Sequence, residues 1–114
     1  MTLNFEFKHN YNDKAVLLFH GMTGSPFELK KFGQYLYAQG YDVYAECLPG
    51  HGDDFGNIMN VKFKDWTNFA YKKFETLSNQ YREVFVGGLC LGALLALAVA
   101  EKFPNIVKGI IALS

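Results

Sequence analysis

The segment VFVGGLCLGALLALAVA, Val84–Ala100, limits what this chain can become more than any other stretch. An apolar run suited to a strand passes through Gly-Leu-Cys-Leu-Gly into a run of leucine and alanine, the strongest helix formers. A strand can feed a helix through so short a junction only if the central residue is forced toward positive φ and its neighbours carry almost no side chain. That turn puts Cys90 at the C-terminal end of a strand. The N–H groups and positive dipole end of a helix then lie behind its sulfur, where they stabilise negative charge. Cys90 is therefore the candidate nucleophile, in a context that suits a Gly-x-nucleophile-x-Gly turn. The plainer alternative is a small apolar thiol filling a tight junction.

The rest of the chain supplies neighbours for that unit. Leu3 to Lys8 alternates with period two, as a half-buried edge strand does. Ala15–Phe19 is continuously apolar, as strands covered on both faces are. Tyr41–Leu48, EVFVGG at 83–88 and VKGIIAL at 107–113 are the further strands. Ser25, Pro26 and Glu28 form a capping box with proline in the first turn, which predicts a helix from Pro26 to about Gly40. The loop through Asn60 is irregular. Trp66, Phe69, Ala70, Phe74 and Leu77 recur at helical spacing within Lys64–Asn79 and are core residues, and a third helix runs from Cys90 to Phe103 before Pro104. Strands alternating with helices predict one α/β domain with an open, mostly parallel sheet and helices on both faces. Ligands of such sheets sit beyond the C-terminal strand ends, where HGMTG, PGHGD and GLCLG all fall.

Composition narrows the partners. With 114 residues and 50% hydrophobic content the chain can bury one sizeable core. Eleven basic residues balance eleven acidic ones, so no basic face recommends nucleic acid or an anionic membrane, and a neutral or apolar small molecule is the expected partner. The N-terminus lacks the uninterrupted apolar core of a secretion signal. The run Leu89–Ala100, broken by Gly92, falls short of the roughly 20 residues of a membrane helix. The expectations are a buried helix, no membrane span and a cytoplasmic location. Of the two cysteines, both expected free, Cys47 is a core thiol. The three histidines, His9, His20 and His51, lie in unrelated segments, so no metal centre is expected although Asp53 and Asp54 follow His51.

Two more turns carry candidate roles. After the Ala15–Phe19 strand, HGMTG offers backbone N–H groups, and acyl transfer needs such donors aimed at a developing oxyanion. The Met22 and Leu91 amides are the candidates, with His20 and Gly21 shaping the loop. His51, in LPGHGDD, belongs to a rigid loop lining the pocket.

HGMTGSPFEL, YDVYAECLPGHG, DWTNF and VFVGGLCLGALLALAVAEKFP, in this order, resemble the α/β-hydrolase superfamily over Lys14–Ser114. The nearest pattern is that of small bacterial carboxylesterases and monoacylglycerol lipases, which read H-G-x-T-G-x-P-x-E, then L-P-G-H-G, a tryptophan helix and G-L-S-M/L-G. The resemblance implies hydrolysis of carboxylic esters of acyl chains or acylglycerols, without cofactor. It puts the nucleophile at Cys90, the oxyanion amides at Met22 and Leu91, His20 in the shaping of that loop and His51 in the loop after the second parallel strand. The family normally has serine at the position of Cys90, although dienelactone hydrolases in the same superfamily use cysteine in G-x-C-x-G.

In that fold the acid and then the histidine follow the nucleophile along the chain. After Cys90 this sequence has Glu101 as its one carboxylate and no histidine. Glu101 stands eleven positions along the helix, about 16 Å away at about 1.5 Å per residue, too far to orient a base beside Cys90. Residues 1–114 are accordingly expected to be the N-terminal portion of a single hydrolase domain, with weak or no turnover alone. The alternatives are a ligand-binding or regulatory module derived from the fold, and a cysteine hydrolase of dienelactone-hydrolase type completed by another chain. An open apolar terminal strand would invite self-association or a complementing C-terminal chain.

Overall fold

A computed structural model describes residues 3–113, with the side chains of 53–55 outside the described set. Met1, Thr2 and Ser114, at the ends of the segments considered above, lie outside it too, as do the carboxylates of Asp53 and Asp54. Five strands form, β1 (Phe5–Phe7), β2 (Lys14–Phe19), β3 (Asp42–Ala45), β4 (Glu83–Leu89) and β5 (Val107–Leu113), with three α-helices, α1 (Lys30–Ala38), α2 (Phe63–Ser78) and α3 (Leu91–Lys102). Short 3-10 helices cover Pro26–Leu29 and Gly52–Asn60, so the segment expected to be an irregular loop is partly wound.

The strands lie in one sheet in the order β1-β3-β2-β4-β5. β1 runs antiparallel to β3, with Phe5 opposite Ala45, and every other pairing is parallel. The result is the open, mostly parallel α/β sheet that the alternation of elements predicts. β2 sits at its centre, which is why Ala15–Phe19 is apolar without interruption: all five residues are buried. On one face Leu17, Phe19, Val84 and Val86 pack against Trp66, Phe74, Leu95 and Val99 of α2 and α3. On the other, Val16, Leu18, Val43 and Ala45 meet Leu29 and Leu36, on and just before α1.

Two strands are shorter than their apolar patterns suggest, for one reason. Side chains take the backbone amides that would extend the ladders. The Asn4 carboxamide oxygen accepts from Cys47 N–H at 2.8 Å and His20 Nε2 accepts from Leu48 N–H at 2.9 Å, ending β3 early. Past β1, His9 N–H donates to the Asp42 carboxylate at 3.0 Å.

Asp42, at the first residue of β3, ties the N-terminal edge of the sheet together. It is 2% exposed and accepts from the His9 ring (2.8 Å), Asn12 (3.0 Å) and the Tyr81 hydroxyl (2.6 Å), and Tyr81 in turn meets Tyr44. Burial alone would raise the Asp42 pKa, but these hydrogen bonds outweigh it and hold the carboxyl down to about 2. The same burial, with the bond to Asp42, pushes the Tyr81 phenol up. A carboxyl depressed in the folded state stabilises it above the unfolded pKa and loses that contribution as pH falls through the folded value. Asp42→Asn should therefore cost about 2 kcal/mol at neutral pH. In urea melts, the difference from the parent protein should stay flat above about pH 5 and shrink between about pH 4 and about pH 2.

The far side of the sheet is open. Among the described residues β5 pairs only with β4, and Ile106, Ile110 and Leu113 are 53%, 43% and 37% exposed. Helix α3 is apolar on every side up to Ala100, and among the described residues one face is covered: Leu95, Ala96 and Val99 are buried while Leu94 and Leu97 face outward. It is thus buried on one side rather than throughout. Among the described residues no helix is long and apolar enough to cross a membrane.

Candidate active site

The turn between β4 and α3 has the conformation its glycines anticipate. Cys90 sits at φ 55, ψ −113, a strained region for a side-chain-bearing residue, and its thiol is exposed. A Cβ on Gly88 would stand 2.1 Å from the carbonyl carbon of Gly92, and one on Gly92 would stand 1.9 Å from the carbonyl oxygen of Phe19. Both glycines are thus compelled by backbone contact: α3 rests directly on the end of β2. Cys90 N–H donates to Leu113 O at 2.9 Å, which fixes the turn against β5.

The loop after β2 lies beside this turn. A Cβ on Gly21 would be 3.7 Å from the Cβ of Cys90 and 3.4 Å from Leu89 O. The loop closes through Gly24 N–H to Gly21 O at 3.0 Å, with Thr23 at φ 59, a conformation uncommon for a β-branched residue. Three of its amides are occupied, Gly21 by Glu28, Thr23 by His51 and Gly24 by Gly21. Among the described residues the Met22 amide has no hydrogen-bond partner, and neither does that of Leu91 at the first position of α3.

His20 and His51 hold this loop to the one after β3, each reaching into the other's segment. His20, fully buried, accepts Leu48 N–H at Nε2 and donates from Nδ1 to Gly21 O at 2.8 Å. His51, 2% exposed, accepts Thr23 N–H at Nε2 (2.9 Å) and donates from Nδ1 to Pro49 O (3.2 Å). Each tautomer follows from its partners, since a carbonyl only accepts and an amide only donates. The rings meet edge to face at 5.0 Å, and Trp66, whose Nε1–H donates to Pro49 O at 2.8 Å, packs its ring 5.9 Å from that of His51. Burial, foremost, and the neighbouring His51 push the His20 pKa down, against the bond to Gly21 and the charge of Glu28. That keeps His20 neutral and its Nε2 an acceptor.

No histidine is left to serve as a base at Cys90. His20 and His51 have both ring nitrogens engaged, and His9 is bound to Asp42 at the opposite edge of the sheet. Glu101 is exposed at the far end of α3. Among the described residues no three His, Cys, Asp or Glu side chains gather where a metal ion would fit. The structure thus brings Cys90, Met22, Leu91, His20, Gly21 and His51 to one edge.

Sequence reasoning missed Glu28. Its spacing from Ser25 signals a capping box, and Ser25 does cap, accepting Phe27 N–H at 3.3 Å. Glu28 instead reaches back seven residues to Gly21 N–H at 2.6 Å.

A glycine-flanked strand-to-helix turn with its central residue at positive φ, at the end of a strand in a mostly parallel sheet, is the arrangement of the α/β hydrolases. Residues 10–114 match the family model described as serine aminopeptidase, S33, and the chain belongs to that family of hydrolases. It is 33% identical over 92 residues to a thermostable monoacylglycerol lipase of Bacillus sp. (strain H-257), covering 81% of this chain and 37% of the lipase. It is 33% identical over 100 residues to a carboxylesterase of Bacillus subtilis (strain 168), covering 87% of this chain and 40% of the esterase. Among solved structures, one from a study of LipS and LipT, two metagenome-derived lipolytic enzymes, superposes with a TM-score of 0.82 at 29% identity, over 89% of this chain and 41% of that one. The chain spans about two fifths of the length of these relatives.

Proposed function

We propose that this chain carries the acyl-accepting half of a carboxylic-ester hydrolase site and that Cys90 takes an acyl group from a neutral, apolar ester. The observation that carries the proposal is the exposed Cys90 thiol at positive φ, flanked by the unpartnered amides of Leu91 and, across Gly21, Met22. The thiolate sulfur attacks the ester carbonyl carbon, and the oxygen, now negative, is held by the two amides. Collapse re-forms the carbonyl and expels the alcohol oxygen with the bonding pair. The alcohol takes up a proton from water, leaving a thioester on Cys90. The lipase and carboxylesterase relatives support an ester as the substrate.

Release of the acyl group is a different matter. Water must lose a proton as it attacks the thioester, and the histidines that would accept it are engaged elsewhere. Residues outside these 114, in the same polypeptide or another, would supply the base, packing on the open β5 edge beside Leu94 and Leu97. The expected result with p-nitrophenyl acetate is a single burst of p-nitrophenol equal to the Cys90 content and a stable mass increase of one acetyl group on the Cys90 peptide. Sustained turnover by the 114-residue chain would sink the assignment of the missing base. A burst with the label elsewhere would sink that of Cys90, leaving a binding module built on the fold as the better reading.

A further inference from the structure

The Glu28 carboxylate is turned away from its own helix and into the loop beside Cys90. Oε1 accepts Gly21 N–H at 2.6 Å. A Cβ on Gly24 would lie 2.6 Å from Oε2 and 2.7 Å from Oε1, and one on Gly21 would lie 3.3 Å from Oε1. The carboxylate therefore fills the concave side of the turn 21–24, and a side chain at 24 would displace it. On the other side of Met22, the Thr23 amide is held by His51. The Met22 amide is the one left over between two that are captured.

We infer that Glu28 is a positioning residue for acyl transfer: by binding Gly21 N–H it fixes the peptide planes around Met22, so that the Met22 amide is in place before the oxyanion forms. This rests on the ester chemistry proposed above. A charge-assisted hydrogen bond is short and roughly twice as strong as a neutral one, which suits it to a loop that also holds Thr23 at positive φ. Donors already fixed at the moment of reaction stabilise a developing charge without reorganisation. A carboxylate near an oxyanion would also repel it, so the sign of the effect separates positioning from bare electrostatics.

The test compares the parent chain with E28Q and E28A in three measurements: acetylation of Cys90 by p-nitrophenyl acetate, its alkylation by iodoacetamide, and hydrogen exchange at the Gly21 amide. Alkylation displaces iodide at a saturated carbon and forms no oxyanion. E28A should acetylate roughly 10- to 100-fold more slowly, the range for a misplaced oxyanion donor, while alkylating at the parental rate. E28Q keeps an oxygen for Gly21 N–H and should recover most of the loss. Gly21 exchange should be slow in the parent and E28Q and fast in E28A. Acetylation by E28A at or above the parental rate overturns the positioning role, as does an equal loss of both reactions. If the parent takes no acetyl group at Cys90, the ester reading fails, and the clamp stands or falls on Gly21 exchange alone: uniform exchange in all three proteins overturns it.

Discussion

Cys90→Ser should lower the rate of the proposed acetylation at position 90 by at least roughly 10³-fold, the scale of losing the base from a nucleophile that depends on one. Serine and cysteine differ little in size, and the turn that exposes position 90 is set by Gly88 and Gly92. What differs is the proton. A serine hydroxyl must hand its proton to a neighbouring base as it attacks, whereas a thiol ionises to water and attacks as the anion. With His20 locked between Leu48 and Gly21, and His51 between Thr23 and Pro49, the serine would find no acceptor. Mass spectrometry of the acetylated peptide over time measures both rates. A serine variant that reacts as fast as the parent would require a base within reach of position 90 and would refute the site as described.

Gly92→Ala should be the most damaging single methyl group that can be added to the chain's turn region. Its Cβ would stand 1.9 Å from Phe19 O, 2.5 Å from Phe19 C and 2.8 Å from His20 O, all backbone atoms of the central strand and the loop after it. Nothing there can rotate aside, so α3 must lift off β2, opening the layer that holds Leu95, Ala96 and Val99. Overpacking a core that can adjust costs about 1 to 3 kcal/mol, and a clash against fixed backbone lies beyond that range. For a domain of this size that is enough to remove the cooperative transition, followed by the fluorescence of Trp66, the single tryptophan. Leu97→Ala, on the outward face of the same helix, should leave the transition nearly unchanged. Parental stability in Gly92→Ala would mean that the turn does not dock on β2.

The sheet was legible because its signals are local. Ala15–Phe19 in β2 is an unbroken apolar run, Val84–Val86 in β4 is an apolar run closed by glycine, and Gly-Leu-Cys-Leu-Gly admits one geometry. The apolar stripe from Trp66 to Leu77 shows its buried face because polar residues mark the other. The pattern marked α3 as a buried helix but could not tell its faces apart, because outward Leu94 and Leu97 look the same in sequence as its buried Leu95. The end of β3 was misjudged because its amides are taken by Asn4 and His20, 43 and 28 residues away. Glu28 shows the limit most clearly. Ser-x-x-Glu is the signature of a local cap, yet tertiary folding brings a second donor, Gly21 N–H, within reach, and the carboxylate goes there. For His20 and His51, sequence placed each in a turn but left open which nitrogen bonds to what, and that detail decides whether either can move a proton.

The engagement of every imidazole has a consequence for stoichiometry. A hydrolase cycles, so its output is set by time and turnover rate. Within these 114 residues the proposed site has no free imidazole to activate water, so acylation there would stop at one group per Cys90 until a base is brought to the open β5 edge. The histidines that brace the two loops therefore bear on the step at which the proposed site halts as well as on its shape.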